Sequence, residues 1–318
     1  MTDVTFIDWI SPINHRTFNR SFFSSIGIEK SDYYIFSREL EIPSLTNYVL
    51  SEGHSRTARA IHVLRIIFKN RKRKVVLITY DPIFIIVALL FARRLFVIEH
   101  NTTPEKPRFF KHAVWQLIFL RGLTRLALFK EQVTVLEKLK QKCIYLGSPI
   151  PVYKSSKQEF IPTEKYYLSP SYRAETKDLG PLANIFAKSP LMVKKATAIS
   201  TEDFDGHAVI LRYFNFIDLE KERHNIKAII ISGDMGARIS GWVNEGLGYG
   251  VPILAANNQV EEAMDNNFPG FPFVRGSLLR QGQNPDEMLD ATLVFNYLES
   301  VVDNNRSVAK RFNSAIEK

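Results

Sequence analysis

The sequence predicts an α/β protein of two doubly wound domains, each a parallel sheet covered by helices, with functional loops at the carboxyl ends of the strands. Three observations predict it. Short β-branched runs alternate with helical stretches along the chain. A proline-bearing, polar stretch at residues 149–162 separates two halves of about 150 residues, the size of ordinary domains. Residues 228–257, AIIISGDMGARISGWVNEGLGYGVPILAAN, place strand, glycine-bearing loop, helix and strand within one βαβ length.

In the first half, residues 4–10 read as a buried strand and residues 11–16 as the loop at its carboxyl end. Such a loop borders the ligand crevice, so Asn14, His15 and Arg16 are candidate acceptor contacts. The first helix begins near Arg20, and residues 33–37 form a second strand. Residues 55–70 carry apolar side chains at 61, 64, 67 and 68, a helical spacing. Four consecutive cations, residues 71–74, make a solvated turn before a strand at 75–79. Asp81 follows that strand, and residues 83–91 form an apolar helix. A further strand at 95–98 leads into Glu99-His100-Asn101-Thr102. The two strand ends bring Asp81, Glu99 and His100 near one line, and each is a type able to accept a hydroxyl proton.

Residues 107–125 predict a helix with aromatic and aliphatic side chains at 109, 110, 114, 115, 118 and 119. Cations flank them at 108, 111, 121 and 125, a pattern shared by interfacial helices and core helices with snorkelling cations. A strand at 127–135, a helix at 136–141 and a strand at 144–147 complete the first domain.

The second domain opens with a strand at 166–169, then Arg173 and Lys177 ahead of a helix at 179–188. Residues 208–222 predict an aromatic-rich helix, with 220–224 facing solvent. The strand at 228–232 feeds a loop holding Arg238, and Ser240 and Gly241 precede a helix at 242–248. Backbone N–H groups at a helix start favour phosphates, and an arginine can fork onto them. Glu245 on that helix can accept hydrogen bonds from sugar hydroxyls. A strand at 253–256, a helix at 260–265 and one or two terminal helices at 285–302 follow.

The small-residue loop, Glu245, and then Gly250-Val251-Pro252 before an apolar strand resemble the nucleotide-sugar half of GT-B fold glycosyltransferases. The chain resembles family 4-like bacterial surface-glycan transferases, with one departure. Ala237 stands eight residues before Glu245, where many of those enzymes carry a first glutamate, so their retaining mechanism is not carried over.

The resemblance implies two Rossmann-like domains facing a central cleft, at 1–155 for the acceptor and 160–318 for the nucleotide sugar. The last helix would cross back to the first domain. It also implies Arg173 and Lys177, with Arg238, on the donor diphosphate, Glu245 on the ribose, and Ser240 and Gly241 as further donors. No cofactor or metal is expected, and the donor would be a UDP- or GDP-linked sugar. The acceptor would be a glycan or a lipid-linked sugar in surface polysaccharide synthesis. Two other readings stay open: a non-catalytic nucleotide-sugar-binding subunit, and a two-domain sugar-nucleotide epimerase.

Composition bounds these expectations. The chain is 45% hydrophobic and 24% charged, a globular composition, and its one cysteine, Cys143, cannot build a disulfide framework. The first ten residues lack a basic region and carry Asp3 and Asp8, which speaks against a signal peptide. No apolar run reaches the twenty or so residues that span a bilayer. A cytoplasmic protein, peripheral on the inner face of the plasma membrane, is the expected location. The net charge of +9 is uneven: residues 1–150 hold 23 Lys and Arg against 12 Asp and Glu, and the remainder is close to neutral. That asymmetry points to an anionic partner for the first domain: a membrane surface, a polyanionic acceptor or nucleic acid, the last not expected because no aromatic interleaving or zinc spacing accompanies the cations.

Overall fold

The structure, a computed structural model, describes residues 4–9, 15–28, 31–50, 55–79, 90–100, 123–138, 140–151, 166–170, 191–194, 209–212, 219, 221–232, 240–279, 281–289 and 291–317. The chain forms two compact units. The first comprises Met1–Pro149, Gly236–Arg238 and Asn305–Lys318; the second comprises Ile150–Met235 and Ile239–Asn304.

The sheet of the first unit contains β1 (Val4–Asp8), β2 (Asp32–Ile35), β3 (Thr46–Val49), β4 (Lys74–Leu77), β5 (Leu95–Glu99), β6 (Thr124–Ala127) and β7 (Cys143–Tyr145). Its spatial order is β3-β2-β1-β4-β5-β6-β7, and every pairing is parallel. Because alternate side chains leave a strand on opposite faces, β1 serves two cores. Phe6 meets Phe23 of α1 (His15–Ile26) edge-on at 4.9 Å and stacks at 6.0 Å on Phe312. Phe312 lies near the end of the final helix, residues 291–317, in the part that belongs to this unit. Ile7 instead joins Val63, Ile67, Val75, Leu77 and Val97 beneath α2 (Arg56–Lys69). Ser55 starts α2 by accepting a hydrogen bond from the Ala58 amide at 3.3 Å, and Asn70 ends it, its amide and side chain both bonding the Ile66 carbonyl at 2.9 Å.

The second unit holds β8 (Tyr166–Ser169), β9 (Leu191–Lys194), β10 (Val209–Arg212), β11 (Ile226–Ile231), β12 (Ile253–Ala255) and β13 (Val274–Arg275), in the order β10-β9-β8-β11-β12-β13. Again all pairings are parallel. In β11 every side chain except Lys227 is buried, as a parallel strand covered on both faces requires. Both sheets reverse direction of growth beside their first strand, between β1 and β4 and between β8 and β11. Ligands of doubly wound sheets bind at the carboxyl ends of the strands at such reversals. The fold is therefore the predicted one, two Rossmann-like α/β sheets.

Several predicted elements are corrected. The helix at 208–222 gives way to strand β10, and the strand at 127–135 is replaced by the end of β6 and by α3 (Lys130–Lys138). Short apolar runs do not distinguish a buried strand from a buried helix. The predicted helix at 107–125 is corrected at its end, where Leu123 is not helical and Thr124 and Arg125 belong to β6; residues 101–122 lie outside the described residues. The first helix starts at His15 rather than near Arg20, so His15 and Arg16 occupy its first turn and not a loop. Strands β3, β9 and β13 were not foreseen. The final helix begins in the second unit, where Tyr297 packs on Phe271 at 4.9 Å, and its residues from Asn305 belong to the first.

One glycine holds the carboxyl edge of the second sheet together. Gly276 follows β13, and a Cβ there would lie 2.6 Å from the Ala255 carbonyl oxygen and 2.7 Å from that of Ala256. These are backbone atoms at the end of β12. Glu261 pins the same turn, accepting from the Ser277 amide at 2.8 Å and its hydroxyl at 2.9 Å. Gly276→Ala is expected to cost about 1–3 kcal/mol of stability, the range for overpacking a rigid contact. Urea denaturation checks it; an unchanged midpoint would mean the β12 edge is soft.

Candidate functional site

In the first unit two of the candidate proton acceptors, Glu99 and His100, sit on a fixed platform. His100 follows β5 directly and is half-buried, its ring edge-on to Phe18 of α1 with centroids 4.4 Å apart and planes at 78°. The residue before it is anchored twice. Gln132 of α3 donates to the Glu99 carbonyl at 2.9 Å, while its side-chain oxygen accepts from the amides of Leu128 and Phe129 at 2.8 and 3.1 Å. One side chain thereby ties the end of β5 to the turn that starts α3. The Glu99 carboxylate is ion-paired with Arg125 from β6, and these side chains are 4% and 0% exposed. Burial pushes the Glu99 carboxyl up, and Arg125 opposes that shift. A buried carboxylate already held by a guanidinium is poorly placed to take a substrate proton, and the Glu99 backbone is fixed directly before His100. Asp81 lies outside the described residues.

A second buried polar group lies beneath the β1–β4 reversal. Asn19 of α1 donates to the Asp8 carboxylate at 2.9 Å and to the Tyr33 hydroxyl at 2.8 Å. Burial, then the neighbouring Asp8 charge, raises the Tyr33 hydroxyl well above its ordinary value, so it keeps its proton. The cluster fixes the carboxyl end of β1 and the α1 helix that follows. Of the predicted acceptor contacts, Arg16 is half-buried in the first turn of α1 and His15 is its first residue; Asn14 lies outside the described residues. Neither Asp8 nor Gln132 was singled out from the sequence. An aspartate closing an apolar strand at position 8 was the available signal for the first; nothing local marked the second.

In the second unit, β11 leads through residues 233–239, which include Arg238 and lie outside the described residues, to α4 (Gly241–Tyr249). Ser240 is the cap of α4, its hydroxyl accepting from the Trp242 amide at 3.4 Å, and Gly241 is the first helical residue. The helix start is thus where the sequence placed it. Glu245 lies one turn further on and is only 4% exposed. Gly246 lets α4 lie close on the sheet: a Cβ would fall 2.7 Å from the Ile253 terminal methyl and 2.9 Å from that of Ile229. The helix stops at Gly250, whose φ of 73° is the left-handed conformation that glycine adopts without strain.

Two further side chains mark the reversal between β8 and β11. Ser169 and Ser232, at the carboxyl ends of those strands, bury hydroxyls that make no hydrogen bond among the described residues. Buried hydroxyls are seldom left so, and a polar ligand at the reversal would satisfy them. Sequence reasoning passed over both serines. Arg173 and Lys177, four and eight residues beyond Ser169, lie outside the described residues. Among the described residues no cluster of His, Cys, Asp and Glu is arranged to hold a metal ion.

Comparison with known proteins places the architecture and leaves the family open. No family model matches the chain, and no curated protein matches it. Solved structures do. A glycosyltransferase from Rickettsia africae ESF-5 is similar at 12% identity, with a TM-score of 0.62, over 99% of this chain and 97% of that one. Sucrose-phosphate synthase from Thermosynechococcus elongatus is similar at 9% identity and 0.65, over 100% and 98%. UDP-N-acetylglucosamine 2-epimerase from Rickettsia bellii is similar at 15% and 0.57, over 100% and 96%. At these identities the likeness shows the fold alone, the GT-B fold with its two Rossmann-like domains.

Proposed function

We propose that the chain is a glycosyltransferase that moves a sugar from a nucleotide-sugar donor to a hydroxyl of a glycan or lipid-linked acceptor in surface polysaccharide synthesis. The observation that carries the reading is the β11–α4 unit. It sets a serine-capped helix start, and a buried glutamate one turn later, at the chain reversal of the second sheet. In this reading Glu245 accepts hydrogen bonds from the ribose. The α4 start, with Ser240 and Gly241, meets the diphosphate beside Arg173, Lys177 and Arg238. These cations stabilise the charge that develops as the bond from the anomeric carbon to phosphate oxygen breaks. They take the part that a metal ion plays elsewhere. The donor is a UDP- or GDP-linked sugar.

On the acceptor side, an inverting reaction needs a base to take the hydroxyl proton as the acceptor oxygen bonds to the anomeric carbon. His100 takes that role, with Asp81 the other candidate. Asn14, His15 and Arg16 at the β1–α1 junction hold the acceptor. The enzyme works in the cytoplasm, peripheral on the inner face of the membrane through its basic first domain.

The test is calorimetric binding of UDP, GDP, ADP, CMP and TDP to the purified chain without metal. One nucleotide is expected to bind, and Glu245→Ala is expected to weaken it by about tenfold, the worth of one charged hydrogen bond. Failure of all five to bind would remove the donor-site assignment. A second reading, a sugar-nucleotide epimerase, is favoured by the likeness to the Rickettsia bellii enzyme. NMR of the nucleotide sugar incubated without acceptor separates the two, since only an epimerase changes the sugar's stereochemistry there.

A further inference from the structure

One described surface of the first unit sets exposed cations around exposed apolar side chains. Between Glu52 and Glu99 the sequence holds ten Lys and Arg and a single acid, Asp81. The outward face of α2 carries Ile61, Arg65, Phe68 and Lys69, all exposed and spaced as neighbours on a helix. Ile61 and Phe68 are 45% and 55% exposed, and Leu90, just before the turn into β5, is 65% exposed.

Contacts join these residues into one patch. Phe68 meets Phe91 edge-on at 5.6 Å, and the Arg71 guanidinium lies 5.7 Å from the centre of the Phe68 ring. Arg94 donates to the carbonyls of Arg71 and Lys72 at 3.1 and 2.6 Å, fastening the turn after α2 to the turn before β5. Lys69, Arg71, Lys72, Arg93 and Arg94 are all exposed around it. The run of four cations thus divides by role. Arg73 pairs with Asp32 at 2.5 Å and Lys74 bonds the Ile316 carbonyl, which leaves Arg71 and Lys72 to the patch.

We infer that this face, Ile61, Phe68 and Leu90 ringed by Lys69, Arg71, Lys72 and Arg93, docks on an anionic lipid surface. It locates the membrane contact in the reading above at a surface other than the segment 107–125, and it holds whether or not the chain transfers sugar. Charge complementarity names the occupant: exposed cations from a stretch of sequence that holds ten Lys and Arg and a single acid gain on a negatively charged leaflet. The exposed side chains name its nature. Aromatic and aliphatic groups at headgroup depth bury apolar area while adjoining guanidinium and ammonium groups stay among phosphates. A nucleic acid would use the cations and could stack on Phe68, but aliphatic Leu90 and Ile61 offer a phosphodiester backbone nothing. The patch adjoins the amino ends of β4 and β5, whereas His100 follows the carboxyl end of β5. A five-residue strand separates them by about 16 Å, so docking leaves the candidate site uncovered.

The experiment is co-sedimentation of the full chain, without nucleotide sugar, with phosphatidylglycerol–phosphatidylcholine vesicles and with phosphatidylcholine alone. Binding to the anionic vesicles only is expected. Lys69→Glu/Lys72→Glu/Arg93→Glu should lower it by about tenfold or more, and Phe68→Ser/Leu90→Ser should also weaken it. A Phe68→Trp probe should add a component quenched by brominated lipid that the native chain, with its own three tryptophans, does not show. Unchanged sedimentation of the charge variant, or a probe insensitive to brominated lipid, overturns the inference. So does duplex DNA binding that the charge variant loses and Leu90→Ser leaves intact, which would assign the patch to nucleic acid. Donor binding is measured separately, so failure here is distinguishable from failure of the transferase reading.

Discussion

Arg125→Ala is expected to destabilise the first unit by about 3–5 kcal/mol, the cost of leaving one charge of a buried pair without its counterpart. The expectation follows from the near-complete burial of both Arg125 and Glu99. The pair itself is not the source of the loss. Replacing both partners, in Arg125→Met with Glu99→Leu, is expected to restore most of the stability, because two well-packed apolar side chains carry no desolvation penalty. Urea denaturation of the two variants checks this, and equal losses in both would show that shape rather than charge holds the site. The pH dependence supplies a second readout. Burial already raises the Glu99 carboxyl, and losing Arg125 removes the opposing influence. A carboxyl raised in the folded state favours folding while it is protonated and loses that contribution as pH rises through its folded value. The deficit of Arg125→Ala should therefore be largest at neutral pH and shrink in acid.

His100→Ala is expected to lower sugar transfer by about 10²–10⁴-fold, the usual worth of a positioned general base, while nucleotide affinity stays near that of the native chain. The two readouts belong to different units: His100 lies in the first, and the proposed donor contacts Ser240, Gly241 and Glu245 in the second. Turnover and calorimetric titration on the same preparation test the split. Full activity in His100→Ala would move the base to Asp81, for which Asp81→Asn is the corresponding variant. Unaltered transfer in both would remove proton abstraction by either residue from the proposal. A loss of nucleotide affinity with His100→Ala would instead mean that the change disturbs the fold, and Gln132 links the two possibilities. Its hydrogen bond to the Glu99 carbonyl holds the backbone next to His100.

Much of the fold was legible because parallel strands buried on both faces are written as unbroken apolar runs. Residues 166–169 and the core of β11 were read in place, and so was α2 between its caps Ser55 and Asn70. The α4 unit was also legible, since a serine cap, a helix-stopping glycine and the proline after it are local signals with local causes. Misreadings fell where the local signal was ambiguous. VILR at β10 follows the same apolar rule as a helix interior, and TRLA at β6 hides a strand behind a threonine and an arginine. Arg125 was read as a flanking cation because nothing nearby in sequence announces its partner; Glu99 is 26 residues away and meets it only through the pairing of β5 with β6.

The sequence by itself determined the α/β class, the βαβ unit around Glu245, the position of His100 at a strand end and the basic first half. Each rests on periodicity, capping or composition, which act over a few residues or over none. Tertiary structure alone decided the strand orders and the two reversals they create. It also decided the anchoring of Glu99 by Arg125 and Gln132, and the joining of Phe68, Leu90 and Arg94 into one surface. These depend on which strands lie side by side, and sheet pairing brings together residues far apart in the chain through the burial of whole faces rather than through any local pattern.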